Sequence, residues 1–337
     1  SSSTAVLEIS SEPAMNLQKR LNYLIEYPHG CVEQTTSAVF PQLVLNQLTD
    51  LDEQKKAKVD RNVKSGISRL QNFQRPDGGF SYWPGGSESD EWGTNYAGHF
   101  LVEAQNNGYM VSDYMLQNWK NFQRGKANAW APSTTNFYGG DLTQAYRLYG
   151  LALAKAPELG AMNRLKEFKY LSSEAKWRLA AAYALAGQEN TALDLIGGLS
   201  TSFPPRESWG YTYGSDTRDE AMVLETLTLL KKKAKAEELL RTICAKLSQD
   251  YWYSTQTTAY SLIAIAKYCG KNPTGAKIIA TGTVDGKNVD INAATYIKQL
   301  PILFAKGSSN VVINNKGNNT LYVRLIVQGQ PLAGDSI

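Results

Sequence analysis

"LQNFQRPDGGFSYWPGG", residues 70–86, carries a helix end, a Gly-rich turn and then three aromatic residues, Phe80, Tyr82 and Trp83. The helix that runs into it is marked by Val59, Val63, Ile67, Leu70 and Phe73, an apolar stripe at helical spacing, and Pro76-Asp77-Gly78-Gly79 stops it. A weaker echo stands at residues 202–227, "SFPPRESWGYTYGSDTRDEAMVLETL", again a turn followed by a fresh apolar helix. Between and around these turns the helical pattern continues. Met15, Leu17, Leu21, Leu24 and Ile25 mark one helix, and Val39, Leu43, Leu45 and Leu48 a second. Further segments fall near 92–107, 111–126, 140–155, 159–170, 172–187, 189–197, 216–230, 233–247 and 254–269. Such helices joined by short polar turns leave an apolar face open on each pair, and stacking pairs into a closed ring covers it. About twelve helices make about six pairs, the number for an α/α toroid. The aromatic residues of the turns are expected to pack at the ring's rim.

After Pro273 the period changes from helical to two. Residues 276–329 alternate apolar with polar side chains, Asp285-Gly286 and Lys316-Gly317-Asn318-Asn319 read as hairpin-type turns, and the run Thr320–Val327 is β-branched and aromatic. "TAVLEIS", residues 4–10, alternates as well. The resulting expectation is a mainly α protein, an α/α toroid inserted into a small β-sandwich. The first strand of the β unit lies in residues 1–12, the toroid in 13–272, and the rest of the β unit in 273–337.

A chain of 337 residues has room for about two domains. With 42% hydrophobic and 20% charged residues, the composition supports an ordinary core. The 35 basic and 31 acidic residues are scattered, and the longest basic run, Lys231-Lys232-Lys233, opens a solvated helix, so no nucleic-acid stripe is present. No apolar run is long enough for a membrane helix and no signal peptide opens the chain. The opening "SSSTAVLEIS" and the closing "GQPLAGDSI" read as cuts inside a larger protein. Three cysteines make no disulfide framework. Cys244 and Cys269 fall in apolar helical patterns and are expected to be buried thiols, with a disulfide between them left open.

The third cysteine is differently placed. In "YPHGCVEQTTS", residues 27–37, Cys31 stands three residues before Gln34, where a loop containing Pro28 gives way to a helix. Residues three apart at a helix start share a side. Attack of the Cys31 sulfur on the Gln34 carboxamide with loss of ammonia gives an internal thioester, and a helix N-terminus favours the thiolate that attacks and later departs. A lysine amine then takes the glutamyl group and frees the thiol. Such a bond needs cover from water, and Tyr23, Tyr27 and Phe40 are the nearby aromatic residues, Tyr27 being the best placed. His29, two residues from Cys31, is a possible base, set against a loop histidine; His99, in "NYAGHFLVEA", is expected to be packed or at the rim. Glu33 either orients the site or caps the helix start, with capping favoured.

"EYPHGCVEQTTSAVFPQL", residues 26–43, resembles the thioester region of the alpha-2-macroglobulin and complement superfamily, and above all its bacterial alpha-2-macroglobulins. The turn at residues 70–83 with the following "WGTNYAGHFLVEA" is similar to the second hallmark of the same domain, so the resemblance runs across essentially the whole chain. It implies an α/α-toroid thioester domain inserted into a CUB-like β domain, a thioester of Cys31 and Gln34, and a shielding tyrosine at Tyr27. It also implies a single-use inhibitor rather than an enzyme. Bait cleavage elsewhere in the full protein would expose the bond to lysine amines of the attacking protease. The implied partners are that protease and the parent's other domains, with no nucleic acid, no membrane insertion, no metal and no cofactor, and the implied site is the periplasm or cell envelope. Some complement members use a later histidine to pass the acyl group to hydroxyls. The corresponding stretch, residues 130–150, has no histidine, and none follows His99, which favours direct reaction with amines. The competing readings are a cysteine hydrolase using His29 or His99, a non-covalent binding toroid with a structural Cys31, and a terpene-type cyclase. The last needs an acidic or metal motif, for which "SESDEW", residues 87–92, reads more simply as a solvated turn.

Overall fold

The computed structural model describes residues 4–13, 15, 17, 20, 24–132, 140–205, 212–249, 253–271, 278–302 and 310–328. The helix expected over Met15–Ile25 lies largely outside them, although Met15, Leu17, Leu24 and Ile25 are themselves buried. The helices that follow are α1 (Val32–Val39), α2 (Leu45–Leu48), α3 (Glu53–Gln71), α4 (Glu91–Asn106), α5 (Asp113–Ala129), α6 (Gly140–Leu153) and α7 (Leu159–Lys166). Then come α8 (Ser173–Leu185), α9 (Glu189–Ile196), α10 (Asp216–Leu229), α11 (Lys233–Ser248) and α12 (Thr255–Lys271). Their starts are set by side chains that accept the otherwise orphaned first N–H groups. Asp52 accepts from Lys55 N, Asp90 from Gly93 N, Ser172 from Ala175 N and Ser215 from Arg218 N. Asp90 therefore belongs to a turn and cap, half-buried, and Trp92 at the end of the 87–92 stretch is buried rather than solvated.

Helices α1, α4, α6, α8, α10 and α12 pack in that order, and α12 returns to α1, which closes the ring. Helices α3, α5, α7, α9 and α11 pack outside them. The division is visible in burial. From Thr217 to Thr228 every residue of α10 is buried, and α6 is buried from Gln144 to Ala152, whereas α3 and α5 bury one stripe and expose the rest. The stripe expected to run from Val39 to Leu48 is broken into α1, a 3₁₀ turn over Pro41–Leu43, and α2. Pro41 is the cause, because it donates no hydrogen bond and cannot continue a helix from α1.

The β unit holds two three-stranded sheets, β4-β1-β6 and β3-β2-β5, built from β1 (Thr4–Ser10), β2 (Ile278–Val284), β3 (Lys287–Ala293), β4 (Ile297–Ile302), β5 (Val311–Asn315) and β6 (Tyr322–Gln328). The N-terminal strand is central in its sheet, antiparallel to both neighbours, with Leu7 opposite Leu300 and Leu325. Ala5, Leu7 and Ile9 meet Ile278, Ala280, Ile291, Ala293 and Ile302 between the sheets. The toroid is thus inserted between β1 and the remaining strands. Asp285-Gly286 makes a two-residue hairpin between β2 and β3, with both residues at positive φ, 51° and 77°. The second expected hairpin is corrected. The turn after β5 carries the chain from one sheet to the other, since β5 pairs with β2 and β6 with β1. Lys316 N and Gly317 N donate to Ile279 O, and Asn315 Nδ2 at the end of β5 donates to Asn319 O, so the turn is fastened to β2 and to β5. Cys244 and Cys269 are buried free thiols.

Candidate functional site

Cys31 is the N-cap of α1, with extended backbone at φ −74° and ψ 178°, and its side chain is 2% exposed. Gln34 is the third helical residue. Its side chain folds back over the helix start, so that Cys31 N–H donates to Gln34 Oε1 at 3.2 Å while Gln34 N–H faces the Cys31 sulfur. The carboxamide and the thiol therefore share one end of one helix turn. Gly30 makes this possible. It sits at φ +82°, and a Cβ on it would meet Gln34 Oε1 at 2.1 Å and Cδ at 3.0 Å.

The loop in front is held from the outer ring. Arg69 on α3 donates through Nη2 to Gly30 O at 3.1 Å and through Nε to Thr35 Oγ1 at 3.2 Å, and Thr35 Oγ1 donates to His29 O at 3.2 Å. The first helical N–H, that of Val32, donates to Tyr82 O at 3.0 Å. This bond brings the aromatic turn of residues 80–83 against the cysteine. The neighbouring Cys31 side chain, followed by burial, holds the Tyr82 phenol well above its usual range. Its ring stacks on Tyr213 with centroids 6.2 Å apart and takes the edge of Trp83 at 5.5 Å.

The expected shield, Tyr27, is 63% exposed, and Tyr23 lies outside the described residues. Phe40 is packed in the core against Tyr96 and His99. The aromatic residue fastened beside Cys31 is Tyr82, 51 positions downstream, through its carbonyl on Val32 N–H; the sequence placed it only at the rim. His29 is exposed, and among the described residues its ring makes no hydrogen bond or ion pair. Glu33 does not cap the helix; its carboxylate points inward, where Ser37 Oγ donates at 2.8 Å and Thr255 Oγ1 at 3.4 Å, and burial raises its pKa. Capping is performed by Cys31 and Gln34, which leaves Glu33 free to tie α1 to α12.

His99 belongs to a second polar cluster, at the centre of the ring. Its Nδ1 is 2.9 Å from Tyr146 Oη, and its Nε2 is 3.5 Å from Glu103 Oε1 and 4.0 Å from Glu225 Oε1. Glu225 accepts from Tyr149 Oη at 2.6 Å, Arg178 Nη1 at 2.8 Å, Tyr260 Oη at 3.0 Å and Lys267 Nζ at 2.5 Å. Burial pushes the Glu225 pKa up, but Lys267 and Arg178 outweigh it and hold the carboxyl well below its usual range. The same burial keeps His99 below its usual range and hence neutral. His99, Glu103 and Glu225 place one donor atom each within 4.8 Å, a set that would suit a metal ion. The Lys267 ammonium already bridges Glu103 and Glu225, so the charge a cation would neutralise is met by the protein itself.

The family model of the A-macroglobulin TED domain matches residues 4–125. Alpha-2-macroglobulin of Escherichia coli strain K12 is 28% identical over 357 aligned residues, which take in 96% of this chain and 20% of that protein. The alpha-2-macroglobulin of Xylella fastidiosa strain Temecula1 is 29% identical over 75% of this chain and 16% of its own length. Among solved structures, native E. coli alpha-2-macroglobulin from domain MG7 to the C-terminus superposes with a TM-score of 0.71 at 25% identity, over 99% of this chain and 53% of that one. Salmonella alpha-2-macroglobulin reacted with methylamine gives 0.75 at 25% identity, over 99% and 22%. The chain is related to the bacterial alpha-2-macroglobulins. It spans about a fifth of the length of the E. coli relative. The mainly helical ring with its small antiparallel sheets matches the thioester-domain and CUB region of that family.

Proposed function

We propose that this chain is the thioester-bearing part of a protease-trapping inhibitor, with the toroid over residues 13–272 and the CUB-like unit in 1–12 and 273–337. Cys31 and Gln34 form the internal thioester, and Gln34 passes to a lysine amine of an attacking protease. The bond is consumed once, so the protein is an inhibitor rather than an enzyme, and the chemistry needs no metal or cofactor. The observation that carries this reading is the Gln34 carboxamide turned back onto the Cys31 end of α1, with its oxygen 3.2 Å from Cys31 N. Two related proteins support it: the Salmonella alpha-2-macroglobulin that has reacted with methylamine, and the E. coli protein activated by trypsin. Bait cleavage in another domain of the parent would supply the trigger, and Tyr27 would close over the bond from its exposed position. Among the described residues no helix is long and apolar enough to cross a membrane. A periplasmic or envelope location of the parent protein is part of the same proposal, supported by the bacterial origin of the relatives.

Tandem mass spectrometry of the peptide covering residues 27–40, taken from the complete protein before and after methylamine, tests the reading. The expected result is loss of ammonia between Cys31 and Gln34 at rest. After treatment, methylamine is expected on the Gln34 side chain with a newly titratable thiol at Cys31. An unmodified Gln34 beside a thiol that iodoacetamide labels at rest would refute it.

A further inference from the structure

Arg69 stands on α3, outside the ring, and its guanidinium is directed at neutral oxygens. Nη2 donates to Gly30 O at 3.1 Å and Nε to Thr35 Oγ1 at 3.2 Å. The Thr35 hydroxyl lies 3.2 Å from His29 O and 3.5 Å from Gly30 O, so guanidinium and hydroxyl together hold both carbonyls in front of the cysteine. Among the described residues no carboxylate pairs with Arg69, and its remaining contact is the face of Phe73, 5.6 Å from Cζ. A half-buried cation so placed neutralises no charge; it fixes the direction of a carbonyl. The oxygen held by Nη2 belongs to the Gly30–Cys31 peptide, a rigid planar unit whose C=O and N–H point opposite ways. The N–H of that same unit donates to Gln34 Oε1 at 3.2 Å. Arg69 and Gln34 are thus joined through a single peptide plane, one at its oxygen and the other at its hydrogen. Gly30 does not fix that plane by its own sterics, since φ +82° lies in a region that glycine enters and leaves freely.

We infer that Arg69 is a positioning residue of the thioester chemistry, acting through the Gly30–Cys31 peptide to hold the Cys31 N–H as an oxyanion donor to Gln34 Oε1. This rests on the thioester reading above. When the Cys31 sulfur attacks Gln34 Cδ, a carbon–sulfur bond forms and the carbonyl π pair moves onto Oε1, where the Cys31 N–H meets it. The pair returns as the carbon–nitrogen bond breaks, and the thiol's proton leaves with ammonia. Opening runs through the same oxygen. An amine nitrogen bonds to Cδ and the charge again rests on Oε1. Its return expels sulfur, which takes the proton that the nitrogen sheds, so the products are an amide and a thiol. The 3.2 Å bond at rest has room to shorten as Oε1 gains charge. A donor aimed where charge develops is worth most when it need not reorient during the reaction. A guanidinium on the far end of the peptide prevents that rotation, and it polarises the amide so that the N–H donates more strongly.

The test compares the complete parent protein with its Arg69→Ala and Arg69→Lys variants. Mass spectrometry first gives the fraction that has lost ammonia across Cys31 and Gln34. Single-turnover thiol release after methylamine addition is then followed on that fraction, and urea denaturation reports stability separately. Arg69→Ala is expected to carry the bond in a smaller fraction and to open it about 10- to 100-fold more slowly per bond. That is less than the loss of about 100- to 1,000-fold for a deleted oxyanion donor, because the N–H itself remains. Arg69→Lys keeps a cation but not the planar fork that spans Gly30 O and Thr35 Oγ1, and is expected to fall between. The infrared stretch of the thioester carbonyl, isolated with isotope-labelled glutamine, is expected at higher frequency in both variants, as for a carbonyl whose hydrogen bond has weakened. A role confined to stability would lower the urea midpoint and leave the rate per bond and this band where they are. An Arg69→Ala protein that opens its bond at the parent's rate or faster would overturn the inference; where that variant carries no measurable bond, the same outcome in Arg69→Lys would do so. A parent that has lost no ammonia would instead overturn the thioester reading on which it rests.

Discussion

Replacing Gly30 by alanine adds a single methyl group at the point where the candidate site is tightest. The new Cβ would lie 2.1 Å from Gln34 Oε1, whereas ordinary contact begins near 3.4 Å, so the oxygen must retreat by about 1.3 Å. Alanine must also adopt φ +82°, at about 1–2 kcal/mol for the left-handed region. The retreat breaks the 3.2 Å bond from Cys31 N–H, worth about 0.5–1.5 kcal/mol. Together the two effects amount to about 1.5–3.5 kcal/mol, to be read as a shift in the urea midpoint at unchanged slope. The chemical consequence should be larger than the stability loss. A reacting group displaced by about 1 Å costs about 100-fold in rate, so thioester formation in Gly30→Ala should fall to the percent level in a protein that still folds. Ammonia loss across Cys31 and Gln34, measured by mass spectrometry on newly purified protein, is the assay. Should Gly30→Ala carry the bond as fully as the parent, the folded-back carboxamide is not the geometry that makes it, and the argument from Gly30 fails.

Two further perturbations probe the frame around the site. Glu225→Gln leaves Arg178 without its buried carboxylate and Lys267 with Glu103 alone, and urea denaturation should show a loss of about 3–5 kcal/mol, as for a broken buried ion pair. Glu12 carries a pH signature: burial, then Glu237, raises its pKa from 4.5 to about 7 against the pull of Arg241. A raised acid stabilises the fold while protonated, so its contribution is full below about pH 4.5 and is lost as pH rises through about 7. Glu12→Gln should remove that part of the pH dependence in denaturation curves taken at fixed pH across this window, and a curve identical to the parent's would show that Glu12 is solvated.

How far the sequence disclosed this depended on whether the deciding contact was local. Helix limits were legible where apolar stripes meet local punctuation, as at Pro76-Asp77-Gly78-Gly79, whereas the caps Asp52, Asp90 and Ser172 came to light only in the structure. The β2–β3 hairpin was legible because Asp285-Gly286 supplies two positive-φ residues in a row. The turn at 316–319 has the same composition, and nothing in alternation says that β5 and β6 join different sheets. Pro41 was in plain view, yet the apolar spacing from Val39 to Leu48 ran through it. The cysteine and glutamine could be placed together because three residues at a helix start share a side. Glu33 has the same local setting and was assigned to the cap, but its fate was settled by Thr255, 222 residues away. Tyr82, Arg178, Glu225 and Lys267 each sit in an unremarkable helix or turn, and only closure of the ring brings them to their partners.

That closure explains why the candidate site stands where it does. Helix α1 is the seam, packed on one side by α4 and on the other by the last helix of the ring, α12. Ser37 reaches Tyr96 across the first contact, and Glu33 reaches Thr255 across the second. Cys31 lies at the end of this same helix, with Arg69 from the outer ring and Tyr82 from the aromatic turn converging on the residues around it. A fluctuation that opens the ring at the seam therefore loosens the carboxamide, the aromatic turn bonded to Val32 N–H and the helix end together. On the proposed function, a bond kept dry by such a seam would be protected for as long as the whole toroid is closed, and a movement elsewhere that pries α1 from α12 would need no contact with the sulfur to expose it. Glu33→Ala, which removes the Oε1 that accepts from both Ser37 and Thr255, should accordingly raise methylamine reactivity at rest without touching either partner of the bond. If the resting rate in that variant matches the parent's, the seam is not what guards the site.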